Sequence, residues 1–346
     1  MNIVMIANDA SPSACLEIFR NELMLRGHSI CEYISANRYG GATRSPDFLV
    51  DWADVVITGM SSSQERAQDE IVALKLAKEK KKRAIAYAEI FSVWGRPYFR
   101  EVLDGATLCV VNQSEVPKAQ STYPNTEVVQ IGNPKWERDA LREFNREKLR
   151  GEFQINKTPT ILYAGLKDTG INICNIGHIL DAMYKLELQK GELIFLPHSQ
   201  ESQIHTSLYQ DIVKQSGDVK IRIYDPKVVD PVEVMMASDL LVSRASNLAV
   251  NAVYQRRPVI DLFTATSTAR YMAQTGTTEW LPADLGATFG VETHLSSILP
   301  LESRISLALS ESGQRTLFSN QEEHFPKPTD ERNAIKKMNF LVELGK

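Results

Sequence analysis

The segment Ala237-Ser238-Asp239-Leu240-Leu241-Val242-Ser243-Arg244-Ala245-Ser246-Asn247 joins a short apolar run to a turn of small polar residues. Leu240, Leu241 and Val242 predict a buried strand. Ser246 or Asn247 predicts an N-cap for a helix that stops before Arg256-Arg257-Pro258. Strand, polar turn and helix in that order present free backbone N–H groups and the positive end of a helix dipole, which suits a phosphate or a sugar hydroxyl. Two carboxylates also follow apolar runs: Asp9 in Asn8-Asp9-Ala10-Ser11-Pro12-Ser13, and Glu89 in Glu89-Ile90-Phe91-Ser92-Val93-Trp94-Gly95-Arg96. A carboxylate so placed can take the proton of an attacking hydroxyl, and Asp9 is slightly favoured for that role. The plainer readings are a helix cap for Asp9 and, for Glu89, pairing with Arg96 or Arg100 beside buried Phe91 and Trp94.

Other loops offer weaker chemistry. Ala164-Gly165-Leu166-Lys167-Asp168-Thr169-Gly170 brings Gly165, Lys167 and Thr169 to a helix start, a reasonable diphosphate cradle without the G-K-[ST] ending of a Walker A loop. His198 follows the apolar run 193–196, where a packing role weighs equally. Thr264-Ala265-Thr266-Ser267-Thr268-Ala269-Arg270 reads as a loop in which Thr266 and Arg270 hold sugar hydroxyls or phosphate, or as a plain surface turn. Ser11, Trp94 and Gln113 are candidate acceptor contacts, with a helix cap at Ser114 the alternative near the last.

These loops need a scaffold, and the pattern supplies one. Strand and helix alternate through the first ~130 residues and again after residue 159, which predicts parallel sheets covered by helices. Strands are expected at 2–7, 29–35, 55–58, 84–88, 107–111 and 128–131, with a helix over 64–80 whose Glu70 and Lys78 face water. The charged stretch 136–153 reads as one connector helix. At 346 residues the chain suits two domains. The division is 1–134, a linker at 135–158, 159–325, and a last helix in 326–346 that packs back on the first domain. The fold class is α/β, two Rossmann-like doubly wound domains with a cleft between them, where ligands of such sheets bind.

Composition narrows the function. Hydrophobic residues make up 43% and charged residues 24%, as in soluble globular proteins, and the net charge of −4 argues against a general nucleic-acid binder. No apolar run of ~20 residues appears, and the N-terminus has no signal-peptide pattern, so a cytoplasmic protein is expected, with peripheral membrane contact left open. The loop after the first strand lacks G-x-G-x-x-G, which disfavours a nicotinamide enzyme. Cys15, Cys31, Cys109 and Cys174 lack metal or redox spacing and read as buried free thiols; the six histidines are dispersed, so no metal is expected. The basic run 75–83 reads as a solvated helix end.

The Ser238–Val259 stretch resembles the nucleotide-binding segment of GT-B glycosyltransferases, and in wording the N-acetylglucosaminyltransferases of peptidoglycan synthesis. It keeps Ser-Asp-Leu-Leu-Val-Ser-Arg-Ala and Pro258-Val259. Ser246 stands where that family has Gly, and Asn251 where it has a ribose-binding Glu. The resemblance implies a metal-independent glycosyltransferase without a cofactor, using a nucleoside-diphosphate sugar such as a UDP-sugar and an unidentified acceptor. Arg244, Ser246, Asn247 and Asn251 would hold the donor, and the backbone of Val228 and Val229 would read its base. A non-hydrolysing UDP-sugar 2-epimerase and a non-catalytic nucleotide- or partner-binding protein are the rivals. The chain lacks the epimerases' Asp-Ser-Gly-Gly…Glu-Glu run, and Asn251 motivates the binder.

Overall fold

The computed structural model describes residues 1–34, 46–156, 158–199, 203–277, 279–293 and 301–344. It contains two six-stranded sheets, each wholly parallel. The first is built from β1 (Asn2–Ala7), β2 (Ser29–Ile34), β3 (Val55–Thr58), β4 (Arg83–Tyr87), β5 (Thr107–Val110) and β6 (Glu127–Gln130), in the order β2-β1-β3-β4-β5-β6. The second is built from β7 (Thr160–Ala164), β8 (Glu192–Leu196), β9 (Lys220–Ile223), β10 (Leu240–Ser243), β11 (Val259–Thr264) and β12 (Phe289–Thr293), in the order β12-β11-β10-β7-β8-β9. Central strands such as VVIT and LLVS are buried along their whole length, as helix-covered parallel strands must be. Strand order reverses between β1 and β3 in the first sheet and between β7 and β10 in the second. In sheets of this kind the carboxyl-end loops at such a reversal are where ligands bind.

The chain divides into two compact units. The first holds Met1–Arg138, Arg270–Glu279 and Pro328–Lys346; the second holds Asp139–Ala269 and Trp280–Lys327. The division differs from an unbroken domain over 159–325, because 270–279 packs in the first unit. Its Gly276 (φ +76) lies against Gly95 so closely that a Cβ on either glycine would come within 2.6 Å of a backbone oxygen, that of Thr275 or of Gly95. Helix Asn333–Glu343 lies against helix Ala10–Leu25 in the same unit, where Arg332 pairs with Glu22 at 2.5 Å and Arg26 with Glu343 at 3.3 Å.

Three expectations are corrected. The connector is two helices, Pro134–Ala140 and Arg146–Glu152. The Gln255 amide takes the carbonyls of Asp139, Ala140 and Arg142, and Asn145 caps the second helix through Lys148 N–H, so the ladder breaks between them. The segment expected as a loop after β11 is helix Ala265–Thr275. Of the four free cysteines only Cys15 and Cys109 are buried; Cys31 is half-buried and Cys174 exposed. Cys174 falls off the buried stripe of helix Thr169–Lys185, which runs through Asn172, Asn175, Ile176 and Ile179.

Gly165 is held by packing. A Cβ there would sit 2.8 Å from the Phe195 ring and 3.2 Å from the Asn172 amide. Phe195 cannot yield easily, being stacked on Tyr163 at 5.5 Å and against Tyr209 at 4.5 Å. Gly165→Ala is expected to cost ~1–3 kcal/mol by overpacking. A urea unfolding midpoint equal to wild type would contradict this.

Candidate functional site

In the first unit the strand-end loops gather around buried carboxylates. Glu70, on helix Gln68–Glu79, is fully buried, against the expectation that it faces water. It shares the inward spacing of Ala73, Leu74 and Ala77, so the stripe was present in the sequence with a glutamate in it. Its Oε1 accepts from Ser61 Oγ at 2.7 Å and Asn8 N–H at 3.1 Å, and its Oε2 from Ser61 N–H at 2.8 Å. One carboxylate thus ties the loop after β1 to the loop after β3. Burial pushes Glu70 up to about 7 despite those hydrogen bonds.

Asp9 and Glu89 sit on either side of this tie and differ in electrostatics. Asp9 occupies the N-cap position of helix Ala10–Leu25 but makes no cap hydrogen bond. Its oxygens accept instead from Ser62 N–H at 2.5 Å and Arg66 Nη1 at 2.6 Å. Burial raises its pKa, but the Ser62 and Arg66 hydrogen bonds and the Arg66 charge outweigh burial and hold it below the usual carboxylate range. Glu89 is 3% exposed, and its Oε2 has no hydrogen-bond partner among the described residues. Burial pushes Glu89 up to about 7, opposed first by the Arg96 charge and reinforced by Glu70 and Asp9. Arg96 is equally buried, feels both glutamates, and leaves Nε and Nη1 without a partner. Glu89 and Arg96 therefore face an unmet acceptor and unmet donors without forming an ion pair.

Neighbouring groups fix this arrangement. The buried Glu115 accepts from Ser92 N–H at 2.7 Å and Trp94 Nε1 at 2.9 Å, which holds Ser92 in a left-handed conformation (φ +64). Trp94 is thus bonded within the protein, while Phe91 is buried against Trp136. Asn133 donates to the Glu89 carbonyl at 2.7 Å, and Tyr98 donates to the Ser61 carbonyl at 2.7 Å. Ser11 lies half-buried in the first turn of helix Ala10–Leu25; Gln113 is exposed at the end of β5. Arg66 and Glu115 escaped the sequence reading, which placed Glu70 in water and took Arg96 only as a pairing partner for Glu89, since nothing local marks a charge that is satisfied, or left unsatisfied, across the fold. In the basic run, Lys78 and Lys80 make exposed ion pairs with Asp104 and Asp51.

In the second unit the loop after β10 is pinned by another buried carboxylate. Asp261 accepts from Ala245 N–H at 3.1 Å, Trp280 Nε1 at 2.9 Å and Thr288 Oγ1 at 2.7 Å. Ala245 adopts a left-handed conformation (φ +43), whereas Ser246, at φ −105, is extended and caps helix Asn247–Tyr254 by accepting from Ala249 N–H at 3.1 Å. Gly is therefore not needed at Ser246; the backbone strain lies one residue earlier. Arg244 is buried with its guanidinium 4.1 Å from the Phe263 ring centre, and its charge acts on Asp261. Asn247 opens the helix. Asn251, one turn on, is buried, with an amide oxygen lacking a partner among the described residues.

The remaining candidates have prior engagements. Asp168 caps helix Thr169–Lys185 by accepting from Ile171 N–H at 3.1 Å, and Asn172 bonds both N–H and C=O of Leu166 at 2.8 Å. The loop carrying Gly165, Lys167 and Thr169 is thereby closed on itself, with a carboxylate at the helix start. His198 is half-buried after β8. Val228 and Val229 both donate N–H to the Asp225 carbonyl, at 2.9 and 3.1 Å, which leaves their carbonyl oxygens as the backbone groups that could read a base. Thr266 and Arg270 fall in helix Ala265–Thr275, and their side chains lie outside the described residues.

No protein-family model and no curated protein matches the sequence. Solved structures do match over the whole chain. A UDP-GlcNAc 2-epimerase from Neisseria meningitidis bound to UDP-GlcNAc is similar at TM-score 0.68 and 14% identity, covering 100% of both chains. S. aureus MnaA, in a co-structure with UDP, is similar at TM-score 0.67 and 12% identity, covering 99% of this chain and 96% of the other. MurG of Acinetobacter baumannii is similar at TM-score 0.59 and 11% identity, covering 98% and 99%. The fold is the GT-B fold that the Ser238–Val259 stretch resembles.

The raised pKa of Glu70 has a signed consequence. Its ordinary value is 4.5 and its folded value about 7, so between these the native state holds a proton the unfolded chain has released. The stabilisation is complete below 4.5 and is lost as pH rises through 7, at up to ~1.4 kcal/mol per pH unit. The stability difference between wild type and Glu70→Gln is expected to move against wild type over that interval. A difference independent of pH in urea unfolding would refute the assignment.

Proposed function

We propose that this protein is a glycosyltransferase that moves a sugar from a nucleoside-diphosphate sugar, UDP-linked by analogy with its structural neighbours, to a hydroxyl acceptor. The observation that supports it is Glu89: a buried carboxyl raised to about 7, with one unpartnered oxygen, at the carboxyl end of a central strand. A general base works best with a pKa near the working pH. Asp9, committed to Arg66 and Ser62 and held below the usual range, is the poorer base, which reverses the order favoured by the sequence. The acceptor oxygen forms a bond to the anomeric carbon, the bond from that carbon to the diphosphate oxygen breaks, Glu89 takes the hydroxyl proton, and the nucleoside diphosphate leaves. Asn251 supplies the buried acceptor for a ribose hydroxyl, and the turn Ala245–Asn247 supplies the helix end for the diphosphate. Among the described residues no group of three His, Cys, Asp or Glu could hold a metal ion, and the proposed reaction uses none.

A second reading, a UDP-sugar 2-epimerase, is favoured by the pairing of Glu70 and Glu89, both raised to about 7. Inverting a carbon centre by removing and returning a proton needs one carboxylate and one carboxylic acid, and two coupled groups near neutrality provide both. Incubating the protein in excess chelator with nucleotide sugars, with and without hydroxyl acceptors, separates the readings. Free nucleotide released only with acceptor supports the transferase. A changed sugar with its nucleotide retained supports the epimerase. No turnover of any kind overturns both.

Glu89→Gln is expected to lower kcat by ~10²–10⁴-fold with donor affinity unchanged, and Asp9→Asn by far less. Near-normal turnover in Glu89→Gln removes the base from this mechanism.

Asn251→Ala is expected to weaken UDP binding by ~1–2 kcal/mol, measured by calorimetry, since a ligand hydroxyl loses its buried partner. An unchanged dissociation constant in the folded variant excludes the contact.

A further inference from the structure

A cavity of about 390 Å³ lies in the second unit, at the end of the sheet opposite the Ala245–Asn247 turn. Pro159, Asp239 and Pro258, which line it, immediately precede β7, β10 and β11. Three guanidiniums also line it, those of Arg146, Arg256 and Arg257, against the single carboxylate of Asp239. That carboxylate is already committed: it pairs with Arg146, lies 3.6 Å from Arg150, and accepts from Thr160 N–H at 2.7 Å. Arg256 and Arg257 make no ion pair among the described residues. Arg257 spends one hydrogen bond on the Ser238 carbonyl; Arg256 spends two, on Val253 O at 2.8 Å and Phe325 O at 3.1 Å. A guanidinium has five N–H donors, so each keeps donors in reserve. Burial, then the Arg146 charge, lowers Arg257 to about 10, which leaves it a cation at neutral pH.

Glu322 acts on Arg256 and Asp239 on Arg257, so four guanidiniums, counting Arg146 and Arg150, share two carboxylates, and half-buried cations in such excess are costly unless an anion completes the site. The charge to be met is two. A carboxylate meets one, whereas a phosphate monoester carries close to two and matches the planar guanidinium fork. The lining also holds the apolar side chains of Leu188, Leu309 and Phe318, the last one turn from Gln314 on helix Glu311–His324. The volume is that of a small-molecule site.

We propose that this cavity binds a small phosphate monoester whose phosphate sits on Arg256 and Arg257 and whose apolar or planar remainder lies against Phe318. This site is separate from the nucleotide contacts proposed at the carboxyl end of the same sheet, and does not depend on them.

The test is calorimetric titration of the full chain with phenyl phosphate, inorganic phosphate and benzoate, with and without saturating UDP. Phenyl phosphate is expected to bind at least about tenfold more tightly than either smaller or singly charged probe. Its affinity is expected to rise as its second proton is lost near pH ~6, and to be unaffected by UDP. Arg256→Gln and Phe318→Ala are each expected to weaken it about tenfold or more. Arg257→Gln is expected to do the same, but Arg257 also holds the Ser238 carbonyl, so the other two variants decide. Absence of phenyl phosphate binding at millimolar concentration overturns the proposal. So does one-for-one displacement by UDP, or wild-type affinity in both Arg256→Gln and Phe318→Ala.

Discussion

A doubly wound sheet must end its central strands in loops that are held in place yet leave polar groups unspent, and in the first sheet that constraint falls on Glu70. The loops leaving β1 and β3 bond each other directly, Asp9 N–H donating to Ser61 Oγ at 2.9 Å and Ser62 N–H to the Asp9 carboxylate at 2.5 Å. Glu70 fastens that contact by accepting from Asn8 and Ser61 at once, from a helix rather than from either loop. The positions of Asp9, Ser62 and Tyr98 all follow from this tie, because each bonds to, or adjoins, a residue it holds. Its cost is the desolvation of a carboxylate, visible in its raised pKa and in its effect on Glu89.

The second sheet uses the same device with a different outcome. Asp261 lies within β11 and accepts from Ala245, Trp280 and Thr288, and the Arg244 charge acts on it. With four donors on its oxygens, Ser243 Oγ being the fourth at 3.5 Å, it is a fastener that holds Ala245 in a conformation that alanine disfavours by ~1–2 kcal/mol. Glu89 is the contrasting case: equally buried, but with an oxygen left over. Burial alone does not make a carboxylate reactive. An oxygen left without a partner separates Glu89 from both Asp261 and Asp9, and the buried Glu115 shares that feature.

The alternation of apolar runs and helices made the two sheets legible from the sequence, because period and run length are local properties. So was the capped turn at Ser246, whose hydroxyl does what its residue type suggests. Non-local satisfaction was not legible. Asp9 looked like a helix cap or a base until Arg66, 57 residues away, took one of its oxygens. The connector looked like one helix from its strong charge and few apolar residues; Gln255, over a hundred residues on, breaks it. Helix Ala265–Thr275 was hidden by its Ser and Thr residues, whose side chains favour turns when tertiary packing is ignored. Glu70 did leave a trace, a charged residue on the inward stripe of its helix, but a stripe of alanines and one leucine is too weak a pattern to force that reading.

The net charge of −4 illustrates the same limit from the side of ligands. Total charge predicts an indifference to anions, yet the field at a site depends on which charges are compensated nearby. Acidic residues are spent where they are paired, as Asp9 is with Arg66 and Asp239 with Arg146. Positive charge then gathers where arginines outnumber carboxylates, around Arg256 and Arg257 at the amino end of the second sheet, and unmet donors remain on Arg96 in the first unit. At ~8–10 Å of screening, distant surface carboxylates do little to offset either. Local excess of arginine over carboxylate, and not the total charge, is therefore the quantity that bears on anion recognition at each site.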